Sequence, residues 1–431
     1  MSAAELLDSD LGAASGTDRD SELLRFSTAG SVDDGKSTLI GRLLYDTKTA
    51  FEDQLAHVAD VSRRRGEERT NLALLTDGLR AEREQGITID VAYRYFATRR
   101  RKFIIADTPG HVQYTRNMVT GASTASLSIV LVDARHGLVE QSRRHALIAQ
   151  LLRIPHLVFA VNKMDLVGWD EGAFRRIEVA IAALGLDAAI TVIPISALTG
   201  ANVVARAPEL AWYRGPTLLG HLETVHVASD HNLIDARFPV QWVVRPQSAD
   251  HPDYRGYAGQ VAGGVLRPGD EVVVLPSGRA TRITAIEQAG AAIAAAVPPM
   301  SVTLHLADDL DVGRGDLICR PSNRPAVTQD VDAMLCWMTD QPLAPRGRYA
   351  LKHTTRWTRA IAGDIAYKLD VQTGERVPAS ELRLNDLGRV RLRTTAPIFA
   401  DAYRRNRTTG SFILVDEVTN ATIAAGMIAD D

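Results

Sequence analysis

The stretch Gly30-Ser31-Val32-Asp33-Asp34-Gly35-Lys36-Ser37 reads G-x-x-x-x-G-K-S, and no other feature of the chain limits its fold as much. It follows a strand-like run (Leu23, Leu24, Phe26, Thr28) and opens a helical pattern from Ser37 to Leu44. A strand, a glycine-rich turn and a helix in that order make a phosphate-binding loop. Glycines let the backbone fold back, so the N–H groups of Gly30 through Gly35 point inward, and the helix start adds partial positive charge. Lys36 is expected to reach the β- and γ-phosphates, and the Ser37 hydroxyl to ligate Mg²⁺. The bland alternative is a surface turn with an incidental lysine, which the flanking strand and helix disfavour.

From about Ser21 to His226 short β-rich runs alternate with helical ones. Strands are predicted at Leu23–Thr28, Phe103–Ala106, Ser128–Val132, Leu157–Val161 and Ile190–Ile195, and helices from near Ser37, Gln113, Gln141 and Gly172. Such alternation implies a mostly parallel sheet covered by helices, with ligands beyond the carboxyl ends of the strands. After about Arg237 the texture becomes short strands and turns, as in Phe238–Arg245, Gly259–Leu275, Val302–Leu306, Arg389–Thr394 and Ser411–Val415. The expected fold is therefore an α/β P-loop domain followed by two small all-β barrels. The expected boundaries are a disordered lead-in at 1–20, a nucleotide-binding domain at 21–228, and barrels at 236–328 and 329–431, with Arg320–Thr328 as linker.

Each further motif falls at a predicted strand end. Asp107-Thr-Pro-Gly110 follows Phe103–Ala106. Asp165-Leu-Val-Gly168 and Asp253-Tyr-Arg-Gly256 share its D-x-x-G pattern but not its position. There Asp107 would hold Mg²⁺ through a water, and the Gly110 N–H would meet the γ-phosphate. Asn162-Lys163-Met164-Asp165 follows Leu157–Val161. The Asp165 carboxylate can accept two bonds from guanine N1–H and N2–H₂, whereas adenine would leave that acid unpaired. This selects GTP over ATP. Ser196-Ala197, after Val192–Ile195, is expected to complete the base pocket through a backbone N–H to guanine O6. His111, directly after Gly110, is placed to orient the attacking water. Thr88, after Gly86, is a candidate second Mg²⁺ ligand. No arginine finger is evident in the sequence, so slow intrinsic hydrolysis, accelerated by a partner, is expected.

Composition excludes several classes. A net charge of −3 over 431 residues gives no electrostatic case for bulk nucleic-acid or membrane binding. Lysine is scarce, six in all, so Lys36 and Lys163 inside motifs are not background. Two cysteines, Cys319 and Cys336, fit a reducing, cytoplasmic setting and no metal cluster. The first twenty residues lack the basic and apolar segments of a signal peptide, and no apolar run reaches membrane-spanning length.

The ordered motifs followed by two barrels resemble the translational GTPases of the elongation factor Tu type. Further stretches are similar to one branch, the GTPase subunits of bacterial ATP sulfurylase. They include Gly41–Asp46, Glu52–Leu55, Asn71–Leu79, Ala81–Phe96, Gln113–Met118, Asp133–Arg135 with Arg143–His145, Trp212-Tyr213 and Arg255–Gly259. The resemblance runs from about Leu24 to Ile428. It implies that Gly30–Thr38 holds phosphates, Ser37 and Thr88 hold Mg²⁺, and Asn162, Lys163, Asp165 and Ser196 hold guanine. Lys36, Thr88 and His111 are then the catalytic set, with Val32 and Ile87 flanking the histidine. It also implies a hetero-oligomer with the smaller sulfate adenylyltransferase subunit, which forms adenosine 5′-phosphosulfate and pyrophosphate from ATP and sulfate. Cleavage of GTP would pull that uphill step forward. Val112 departs from the glutamate expected after the histidine. Some relatives carry a fused kinase domain for adenosine phosphosulfate. No second G-x-x-x-x-G-K-[ST] occurs here, so that activity is expected on another chain. The rival reading, a factor delivering aminoacyl-tRNA, fits the loop Ser31-Val-Asp-Asp34 poorly. An ATP-dependent adenylylating enzyme is disfavoured by Asp165 and by the lack of an S-G-G-x-D-S loop.

Overall fold

The computed structural model describes residues 23–31, 33–48, 58, 60–64, 70–75, 90–227, 232–246, 254–343, 346–370 and 373–430. The expectations for the lead-in 1–20, for Val32, and for Ile87 and Thr88 lie outside these residues. The first body is a six-stranded sheet in the order β2-β3-β1-β4-β5-β6. Its strands are β1 (Leu23–Ala29), β2 (Ala92–Ala97), β3 (Lys102–Asp107), β4 (Leu127–Asp133), β5 (His156–Asn162) and β6 (Ala189–Pro194). All neighbours run parallel except the edge pair β2–β3. Strand order reverses at β1, so the crevice at its carboxyl end is the natural ligand site of such a sheet.

Burial explains why these residues form this sheet. Every residue of β4 is buried, as expected of a central strand covered on both faces. The helices α1 (Lys36–Asp46), α2 (Thr115–Ala122), α3 (Glu140–Leu151), α4 (Glu171–Ala182) and α5 (Leu218–Thr224) cover the sheet. Leu39, Ile40, Leu43, Met118, Ile148, Phe174 and Ile181 from four of them join one core with Phe26, Ile129 and Phe159. The Asp170 carboxylate starts α4 by accepting from the N–H groups of Gly172 (3.0 Å) and Ala173 (2.9 Å). Strand β2 and helix α5 were not anticipated. β2 presents Tyr93 and Tyr95 outward and is held by Phe96, whose ring stacks on Phe103 at 4.4 Å between centroids. One inward aromatic on an edge strand gives only a weak periodic signal.

The second sheet comprises β7 (Arg237–Val244), β8 (Gly256–Gln260), β9 (Glu271–Leu275), β10 (Arg279–Gln288), β11 (Ala291–Ala292), β12 (Ser301–Leu306) and β13 (Leu317–Cys319). The order β10-β12-β8-β7-β13-β9 closes through a β10–β9 pairing into a six-stranded antiparallel barrel, with β11 appended. The third has β14 (Ala326–Trp337), β15 (Arg348–His353), β16 (Arg356–Leu369), β17 (Arg376–Val377), β18 (Leu387–Ala400), β19 (Ser411–Val415) and β20 (Thr422–Ile428). It closes in the same way through β15–β16, with β17 appended. β14 begins at Ala326, ahead of the expected boundary at 329, so the last third of the expected linker is already paired strand.

A buried ion pair joins the barrels. The Arg237 guanidinium donates to both oxygens of Asp401 at 2.8 Å, and neither side chain meets solvent appreciably. Thr409 Oγ1 donates to the same carboxylate at 2.6 Å. The third body also docks on the first, at α2, at the turn before it and at the end of α3. The Arg116 guanidinium donates to the Met338 carbonyl (3.0 Å), Asn385 Nδ2 donates to the Gln113 carbonyl (2.9 Å), and Tyr403 Oη donates to the Leu152 carbonyl (3.2 Å). Removing one partner of a buried pair leaves the other charge uncompensated. Arg237→Met is therefore expected to lower barrel stability by about 3–5 kcal/mol, read as a lower urea midpoint of tryptophan fluorescence. An unchanged midpoint would show that the pair does not hold the barrels.

Candidate nucleotide-binding site

The loop after β1 is organised from within. The Asp34 carboxylate is buried and accepts the Ser31 N–H at 2.7 Å, closing the turn. Asp33 (φ 70°) and Gly35 (φ 91°) adopt left-handed backbone, and a Cβ on Gly35 would stand 2.5 Å from Asn162 Nδ2. Asn162 ties the loop to the base side. Its Nδ2 donates to the Asp34 carbonyl at 2.7 Å, and its Oδ1 accepts the Ala197 N–H at 2.8 Å. Lys163, itself left-handed (φ 64°), donates to the Asp33 carbonyl and pairs with Asp133 at 2.9 Å. The loops after β1, β4, β5 and β6 thus meet at one edge of the sheet.

Two carboxylates there are driven in opposite directions. Burial pushes Asp34 up to about 6, against the pull of the Ser31 N–H, with Asp133 adding to the rise. Burial would raise Asp133 as well, but bonds from Arg135 and Lys163 outweigh it and hold Asp133 well below the usual carboxylate range.

On the phosphate side the Lys36 ammonium lies 2.8 Å from Asp107 and 2.6 Å from the Thr108 carbonyl. Ser37 and Thr38 occupy the first turn of α1, both half-buried. Gly110 packs against the loop so closely that a Cβ there would meet the Gly30 carbonyl at 2.2 Å. His111 is exposed, and its Nδ1 accepts the Gln113 N–H at 3.3 Å. Among the described residues no cluster of three or more His, Cys, Asp or Glu is able to hold a metal.

The base side contains one unmatched acceptor. Oδ1 of Asp165 is buried and has no hydrogen-bond partner, whereas nearly all buried polar atoms in folded proteins have one. An acceptor in want of donors is what guanine N1–H and N2–H₂ would satisfy. In the neighbouring loop the Ser196 N–H donates to the Ala201 carbonyl (3.1 Å) and the Ala197 N–H to Asn162 Oδ1 (2.8 Å). Three participants went unread in the sequence. Gln141, Arg144 and His145 of α3 all donate to the Gly110 carbonyl, Arg144 and His145 at 3.0 Å. The sequence showed Arg143-Arg-His145 but nothing to indicate that two of the three side chains are buried.

Comparison with known proteins identifies the family. Residues 21–236 match the elongation factor Tu GTP binding domain, and residues 330–429 match the GTP-eEF1A C-terminal domain-like family. The chain is 51% identical over 427 residues to the sulfate adenylyltransferase subunit 1 of Bacteroides fragilis (strain YCH46), covering 98% of this chain and 89% of that protein. The chain belongs to the sulfate adenylyltransferase subunit 1 family of elongation factor Tu-type GTPases. It is also 62% identical over 414 residues to the bifunctional enzyme CysN/CysC of Mycobacterium tuberculosis (strain ATCC 25618 / H37Rv), covering 95% of this chain and 67% of that protein. A similar bifunctional enzyme of Rhodopirellula baltica is 51% identical, and the chain spans 66% of it. The chain therefore spans about two thirds of the length of these bifunctional relatives.

In this subunit 1 chain the raised Asp34 has a stability consequence of definite sign. An acid whose folded pKa lies above its unfolded value binds its proton more tightly when folded. Its contribution is present below the ordinary aspartate value of 3.8 and lost as pH rises through about 6. Relative to Asp34→Asn, the nucleotide-free protein should lose roughly 2 kcal/mol of stability between pH 4 and pH 7. Urea melts of the two proteins across that range check this. Parallel pH profiles would refute it.

Proposed function

We propose that this chain is the GTP-hydrolysing subunit of a sulfate adenylyltransferase, cleaving GTP to drive formation of adenosine 5′-phosphosulfate by a smaller catalytic partner. The observation that carries this reading is the unpartnered Asp165 acceptor, at the edge where the other motif loops converge, in a chain aligned almost end to end with subunit 1 relatives. GTP is the nucleotide. Gly30 through Thr38 cradle its phosphates, with Lys36 supplying the positive charge. Ser37, Asp107 and Thr88 serve the Mg²⁺ ion, which when bound neutralises charge developing on the phosphates. Asp165 reads guanine, and Asn162 shapes its pocket by holding the two loops together. Ser196 and Ala197 form the pocket wall.

Catalysis at such a site is positioning and charge stabilisation, not covalent chemistry. His111 supplies the positioning. With Nδ1 accepting the Gln113 N–H, the exposed ring is left with Nε2 to meet a water. Val112, in place of an acid, adds no second charge beside the histidine. The partner is an ATP- and sulfate-binding subunit in a cytoplasmic hetero-oligomer, with neither nucleic acid nor membrane involved. No helix among the described residues is long and apolar enough to cross a membrane.

Two measurements test the proposal. Asp165→Asn should weaken GTP binding roughly a hundredfold or more and favour xanthosine triphosphate, because an amide donates where the acid accepted. Retained GTP affinity would sink the base assignment. Co-purified with its partner, the chain should support sulfate-dependent pyrophosphate exchange that GTP stimulates. Failure to recover an adenylylating partner would count against the function itself.

A further inference from the structure

Helix α3 carries a set of polar side chains that nucleotide recognition does not explain. Gln141 bridges two loops: its Oε1 accepts from Ser31 Oγ at 2.6 Å, and its Nε2 donates to the Gly110 carbonyl. One turn along, on the same helix face, Arg144 and His145 reach the same carbonyl, each at 3.0 Å. Arg144 is 2% exposed and His145 fully buried. A carbonyl oxygen only accepts, so His145 donates from Nε2. Its Nδ1 is left buried without a partner. Burial and the neighbouring Arg144 push this histidine down to about 3, so it is a neutral donor at working pH. Arg144 is lowered by burial only to about 10 and remains a cation.

A buried guanidinium is costly unless paired, yet Arg144 makes no ion pair among the described residues and its Nε has no hydrogen-bond partner. Methionine would cover the same helix face without that cost. The carbonyl that Arg144 serves belongs to the peptide joining Gly110 to His111, and a peptide is planar. Fixing that oxygen therefore fixes the N–H and the starting direction of His111. The peptide is also braced by the close approach of Gly110 to the Gly30 carbonyl.

We propose that Gln141, Arg144 and His145 form a clamp on the Gly110 carbonyl that positions His111 for hydrolysis. The clamp rests on the role given to His111 above. Its members are positioning residues, acting through the Gly110–His111 peptide. Arg144 is the central member, because it supplies a charge-assisted bond, which is stronger than a neutral one, and a buried positive charge beside the phosphate loop.

A double-mutant cycle on the full chain tests this, reading single-turnover GTP cleavage alongside GTP and GDP affinity. Arg144→Met should slow cleavage roughly tenfold or more while both affinities stay within about twofold, and Arg144→Lys should recover part of the rate. In the His111→Ala background, Arg144→Met should add less than about twofold, since both changes remove one effect. Arg143→Met, on the exposed face of the same helix, is the control and should change nothing. Losses that multiply in the double variant would overturn the clamp, as would weaker nucleotide binding without slower cleavage. Retained GDP affinity reports folding. If Arg144→Met fails that check, Gln141→Leu, half-buried, takes its place in the same cycle. A His111→Ala protein that cleaves at the normal rate would remove the reading beneath the clamp, and the single variant alone would reveal it.

Discussion

The side-chain amide of Asn162 is the bond on which the site depends. It joins the phosphate loop after β1 to the base loop after β6, and it does so from the end of β5. A primary amide is suited to this, with a donor and an acceptor a short distance apart and no charge to desolvate. The same side chain limits Gly35, which has no room for a Cβ beside it. Loops from separate strands are thereby held as one rigid frame. A frame of this kind is what a reaction driven by positioning requires.

The frame continues outward through α2. That helix begins just after His111, and its Arg116 is held by the third body through Met338 and Asn385. Tyr403 and Met427 of the third body enter the hydrophobic core of the first. Arg237 and Asp401 in turn tie the third body to the second. A shift of the segment from Gly110 to Tyr114 therefore cannot occur without strain at the contact with the third body, since packed interfaces rearrange and do not stretch.

Much of this was legible in the sequence, for a physical reason. Gly35, Lys36, Asp107 and Asp165 lie at or just beyond the carboxyl ends of β1, β3 and β5, where short motifs at fixed spacing can be read without knowing the packing. The parallel sheet was equally legible, since β4 and β5 are buried runs bounded by turns. What escaped were features with the local appearance of something ordinary. Gln141-Ser-Arg-Arg-His145 looks like a solvated helix face, and only the tertiary fold turns Arg144 and His145 inward. The pairing of the Ser196 and Ala197 N–H groups depends on where Ala201 and Asn162 fall in space, which spacing does not convey. Strand β2 was missed because an edge strand with outward tyrosines carries little periodic burial.

Ring closure in the two barrels has a consequence for the molecule in crowded solution. An open sheet edge displays a row of unpaired N–H and carbonyl groups that any other chain can extend. Here the β10–β9 and β15–β16 pairings consume those rows, and the appended strands β11 and β17 are two residues each, too short to template growth. A β-rich half of the chain is thereby made self-terminating. Among the described residues, the long strand edges left open belong to the first sheet, at β2 and β6, and it is there that addition of a foreign strand would begin.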